Sequence, residues 1–142
     1  MNKLTKQYVV VTLGDGTVVE LKYAQGAIEL FARKTGLNTI AEVNARLLPE
    51  AVQTLLADGS VADVPLSTLS DWRLFVLSAA EYVALVQNKP FAVTEWQVQE
   101  WIDEVGLDKM LFNPLFSLLA DSADPVDSAV TEGEVGEKKT NG

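Results

Sequence analysis

LSDWRLFVLSAAEYVALV, residues 69–86, is apolar on almost every side when wound as a helix, with Trp72, Phe75, Val76, Ala79, Ala80 and Val83 on its densest stripe. A helix without a polar face is normally central to its domain. The segment is therefore expected to start at Leu69 or Ser70, run to Val86, and act as the spine on which the rest packs. Ser78 and Glu81 interrupt it, and it falls short of the roughly 18 to 20 apolar residues that span a bilayer, so a membrane role is not expected.

Upstream of the spine, valine-rich runs at residues 7–13 and 17–23 flank Gly14-Asp15-Gly16. Alternation with period two puts Val9, Val11 and Leu13 on one face and Val19, Leu21 and Tyr23 on another, while Glu20 and Lys22 point away. This pattern predicts an N-terminal β-hairpin with one buried face. Two strands alone are marginal in water, so that face needs a helix beneath it. Ala24, Ala27, Ile28 and Phe31 supply one at helical spacing, from about Gln25 to Thr35, closed by Gly36. A second helical run follows a cap at Asn38 or Thr39 and carries Ile40, Val43 and Leu47. Pro49 suits the first turn of a continuation with Val52, Leu55 and Leu56, ended by Asp58-Gly59-Ser60. Residues 60–68 lack a sustained period and are expected to form a loop.

Downstream, Thr94-Glu95-Trp96-Gln97 has the form of a capping box. The helix behind it is amphipathic, with Val98, Trp101, Ile102 and Val105 inward and Glu100, Asp103 and Glu104 outward, closed by Gly106. Trp101 is expected to anchor the core, where truncation to alanine costs roughly 3 to 5 kcal/mol. A last helix carries Leu107, Met110, Leu111, Leu115 and Leu118 on one stripe, bent or divided at Pro114. From Asp121 aromatic residues and leucines vanish, and residues 121–142 are expected to be a disordered acidic tail. The fold class is thus α+β, mostly α: a hairpin on about five helices within residues 1–120, followed by the tail.

Composition narrows the chemistry. The chain has neither cysteine nor histidine, which removes thiolate nucleophiles, disulfides, the usual general base and the commonest metal ligands. Neither a cofactor nor a metal is expected. The formal net charge is −9 and the pI near 4.4, too acidic for a phosphate-backbone binder. Six of the twenty acidic and two of the eleven basic residues lie in the tail, leaving −5 on the first 120. The apolar run from Tyr8 to Leu13 behind Lys3 and Lys6 is too short and too β-branched for a signal-peptide core, so a cytoplasmic location is expected.

Two clusters compete as a site. Glu100, Asp103, Glu104 and Asp108 are the only carboxylates grouped for acid and base work, but helical spacing puts three of them opposite the tryptophan stripe, in water, where nothing separates their pKa values. An enzyme is not expected. Trp96 and Phe112 with Phe116 and Leu119 fall off the main apolar stripes of their helices, and exposed aromatic patches mark protein interfaces. These four residues are the candidate protein-binding surface, against the alternative that the last helix is buried on two sides.

Two segments, VTLGDGTVVELKYAQGAIELFARKTGL and TEWQVQEWIDEVGLDKMLFNPLFSLLAD, together with the acidic tail, resemble the tail assembly chaperones of long-tailed bacteriophages. The resemblance is one of pattern, covers under half the chain, and carries no set of functional residues across. It implies a protein of the bacterial host cytoplasm that binds the hydrophobic, helical tape measure protein, keeps it soluble, and helps tail tube subunits gather around it. A longer frameshifted product is often made in that family. Two other readings stay open: a structural phage tail subunit, tube or connector, whose hairpin joins a larger sheet, and an acidic mimic of nucleic acid. For the mimic, −5 over 120 residues is dilute. Self-association into a homo-oligomer is also left open.

Overall fold

The computed structural model describes residues 8–114. The expected tail and the residues from 115 onward, Phe116 and Leu119 among them, lie outside that range. Strands β1 (Tyr8–Thr12) and β2 (Val18–Lys22) form a two-stranded antiparallel hairpin in which Val9 faces Leu21 and Val11 faces Val19. The alternation read from the sequence holds: Val19, Leu21 and Tyr23 are buried, Val9 and Val11 half-buried, and Tyr8, Val10 and Val18 exposed. At the turn the Gly16 N–H donates to the Leu13 carbonyl and the Leu13 N–H to the Thr17 carbonyl. This three-residue connection needs a left-handed residue at its end, which Gly16 supplies with φ of 91°.

Among the described residues five α-helices follow: α1 (Gln25–Thr35), α2 (Ile40–Leu47), α3 (Glu50–Ala57), α4 (Leu66–Val86) and α5 (Glu95–Val105). The Thr39 hydroxyl accepts from the Glu42 N–H at 3.0 Å and the Glu42 carboxylate returns to the Thr39 N–H, so α2 begins on a complete capping box. Thr94 and Gln97 build the same device at α5. Gly36, at φ of 77°, closes α1.

Helix α4 is the spine, roughly 31 Å long at 1.5 Å per residue. Trp72, Phe75, Val76 and Ala79 on it are fully buried. The Phe75 ring meets Tyr23 at 5.4 Å and the edge of Phe31 at 5.5 Å, which joins hairpin, α1 and α4 in one core. The Trp72 indole N–H donates to the Leu47 carbonyl at 2.8 Å, satisfying a polar group that burial otherwise leaves unpaired. Arg46 on α2 pairs with the nearly buried Asp71 at 2.8 Å.

The start of α4 corrects the expected loop at residues 60–68. Only Val61–Asp63 forms a short 3₁₀ turn, and the helix begins at Leu66 directly after Pro65. Proline has its φ already set for a helix start, −59° here, and Leu66 is 79% exposed, so the first turn forms without showing an apolar period. The last segment also differs from the expected helix. Asp108–Phe112 is a π-helical turn, with the Asn113 N–H bonded to the Asp108 carbonyl. The wider turn brings Met110, Leu111 and Phe112 inward together. The buried Tyr23 hydroxyl donates to the Met110 carbonyl at 2.5 Å and ties this turn to the end of the hairpin.

Candidate functional site

A groove lies between the hairpin, the C-terminal half of α4 and α5, with a volume of about 560 Å³. One wall is Ala80, Val83 and Ala84 of α4 with Gln87 at its C-cap; the other is Gln97, Glu100, Trp101 and Glu104 of α5. Each set has the spacing i, i+3, i+4, i+7, a stripe of two turns and roughly 10 Å. Leu13 and Val19 of the hairpin close one side, and Phe91 and Val93 close the other.

Local structure explains the shape. At the end of α4 the Asn88 N–H bonds to the Leu85 carbonyl and the Lys89 N–H to the Ala84 carbonyl, with Asn88 left-handed at φ of 56°. This is a Schellman ending, which turns the chain sharply out of the helix. Lys89, Pro90, Phe91 and Val93 beyond it line the groove. On the opposite side the Glu104 carboxylate accepts from the Gly14 N–H at 2.6 Å and fastens the hairpin turn to α5. The Gln87 amide donates to Glu20 at 3.2 Å, a second tie between hairpin and α4.

The groove is apolar at its base and acidic at its rim. Val19, Ala80 and Val83 are buried and Phe91, Val93 and Trp101 half-buried beside it. Asp15, Glu20, Glu100 and Glu104 line the opening, with Lys89 the only cation among the lining residues. The Asp15 carboxylate accepts from the Thr17 N–H at 2.9 Å, which holds its pKa below the ordinary value. Such a surface recognises apolar side chains through its base and sorts partners by charge at its edge.

The candidate surface residues separate. Trp96 is 69% exposed on the first turn of α5, and the Arg73 guanidinium lies 4.8 Å from its ring centroid. Arg73 is held in turn by Glu95 at 3.3 Å and Gln99 at 3.0 Å. Phe112, expected beside Trp96 in an exposed patch, is instead 9% exposed and packs edge-on against Trp72 at 5.0 Å. It left the main stripe because of the π turn and not because it faces solvent. Phe116 and Leu119 are outside the described residues.

Two further expectations are corrected. Trp101 is half-buried as groove lining, and Val98 takes the fully buried place on α5. Glu100 and Glu104 do not lie opposite the tryptophan stripe, since both flank Trp101 in the groove. Sequence reasoning passed over residues 87–94, although Phe91 and Val93 alternate there in an extended segment. Among the described residues no three metal-ligating side chains gather as a metal site, and no helix is long and apolar enough to cross a membrane. No family model, curated protein or solved structure matches the chain.

Proposed function

We propose that the chain is a tail assembly chaperone of the long-tailed phage kind, a non-enzymatic protein of the host cytoplasm that holds the helical tape measure protein soluble while tail tube subunits gather. The observation that carries this reading is the open groove with an apolar base, walled by two helical stripes. Helical clients bury an apolar face in such grooves through anchors at i, i+3 or i+4, and i+7, and two turns accommodate one such set. Trp96, exposed beside the groove's helix, is the second contact on offer, since exposed tryptophans are enriched among residues that dominate binding. Coexpression with a candidate tape measure protein, followed by size-exclusion chromatography, tests this reading. Co-elution and a soluble client are expected; a client that stays insoluble with the chaperone eluting alone refutes it.

The structural-subunit reading draws on a different observation. Strand β1 is an edge, and Tyr8, Val10 and Val18 expose apolar surface on the outer face of the hairpin. Edges of this kind invite further strands. A tube or connector subunit polymerises when purified alone, whereas a chaperone stays a monomer or small oligomer, and sedimentation velocity separates the two.

A further inference from the structure

We propose that the groove selects a basic amphipathic helix: an apolar stripe of about two turns with lysine or arginine on both flanks. This rests on the reading of the groove as a helix-binding site and adds the chemistry of the partner. The walls of the groove are two turns long, and Ala80 and Ala84 on one of them are small, leaving room for large side chains of the occupant. The charges are distributed on two sides. Asp15 and Glu20 stand along the hairpin, Glu100 and Glu104 along α5, and Lys89 is their only opposite among the lining residues. The Glu104–Gly14 bond joins the two sets at one end of the groove, and a helix seated in it meets Glu20 from the hairpin and Glu100 from α5.

The carboxylates keep capacity for this. Glu104 accepts a backbone N–H at 2.6 Å, Glu20 the Gln87 amide at 3.2 Å and the Tyr8 hydroxyl, and Asp15 the Thr17 N–H at 2.9 Å and the Thr17 hydroxyl. A carboxylate offers about four acceptor positions, so each retains lone pairs for an incoming ammonium or guanidinium. Rim charges of one sign mainly set which partner is accepted and how fast it arrives, and they repel an acidic helix with the same apolar stripe.

Three labelled synthetic peptides of about 18 residues test this, sharing one leucine stripe and differing only in flanks of lysine, glutamine or glutamate. Anisotropy titrations with the full chain at low ionic strength should rank them lysine, glutamine, glutamate, with at least about a tenfold preference for lysine over glutamine that shrinks as salt rises. Glu20→Gln with Glu100→Gln should reduce that preference and leave the glutamine peptide's affinity in place. Ala84→Trp, filling the groove, should abolish binding of all three, and Gln87→Trp at an exposed lining position serves as an independent block. Equal affinity for the lysine and glutamine peptides overturns the charge inference and leaves the groove reading standing. Binding of none overturns both. Undiminished binding of the lysine peptide to both blocked variants shows diffuse attraction outside the groove and also overturns the proposal.

Discussion

Replacing Tyr23 by phenylalanine removes one oxygen from the centre of the fold and changes stability differently at neutral and alkaline pH. The Tyr23 side chain is fully buried, and its hydroxyl donates to the Met110 carbonyl at 2.5 Å. Tyr23→Phe keeps the ring against Phe75 and leaves that carbonyl without this donor, a loss of about 1 to 3 kcal/mol at pH 7. Burial also pushes the Tyr23 pKa well above its ordinary value. In the unfolded chain the phenol ionises near pH 10, while in the native state it stays neutral. Its contribution is therefore complete below about pH 10 and is lost as pH rises toward the folded pKa, by about 1.4 kcal/mol per unit. At pH 11 the wild type has given up part of this contribution, which Tyr23→Phe never had to lose, and the gap between the two narrows. Urea titrations followed by tryptophan fluorescence at pH 7 and pH 11 measure both differences, and other titrating groups cancel in the comparison. A variant as stable as wild type at pH 7, or a gap that does not change with pH, refutes the buried hydrogen bond.

Gly26 lies against the Tyr82 ring, where an added Cβ would stand 2.2 Å from a ring carbon, and the ring in turn carries Lys22 over its face at 5.6 Å. Gly26→Ala should destabilise the wild type yet become neutral or stabilising in a Tyr82→Ala background, with a coupling of about 0.5 to 3 kcal/mol in a double-mutant cycle. Trp72→Ala should cost about 3 to 5 kcal/mol, and Trp101→Ala less than half as much, because only the first indole is enclosed; equal losses in denaturant midpoint would contradict the placement. Thr39→Ala and Thr94→Ala should each lower stability by about 1 kcal/mol, whereas exchange to serine, which keeps the cap, should change it little in the same thermal melts.

What could be read from the chain was what local rules determine. The buried face of the hairpin follows from the alternation of Val9, Val11, Val19 and Leu21, and the capping box of α5 from Thr94 with Gln97, whereas at α2 the sequence showed a cap at Asn38 or Thr39 and the structure completes it with Glu42. The spine was visible because no face of residues 69–86 is polar enough for solvent. The misplacements came from non-local physics. Helix α4 starts early because Pro65 sets the backbone, with no apolar residue needed in the first turn. Phe112 looked outward on a 3.6-residue helix and turns inward on a π turn whose Met110 carbonyl is held by Tyr23, 87 residues away in sequence. The groove was the least legible part. It depends on Glu104 reaching Gly14 across 90 residues, and on the Asn88 ending that lays Phe91 and Val93 along α4 and α5.

The groove's role is tested most directly by backbone NMR of the isotopically labelled chain, titrated with the lysine-flanked helical peptide. Saturable shifts at Val19, Ala80, Val83, Ala84, Phe91, Val93 and Trp101 are expected, with the amides of α2 and α3 unmoved. Shifts confined to Tyr8 and Val10 on the outer face of the hairpin, with the groove residues unchanged, would contradict helix binding in the groove.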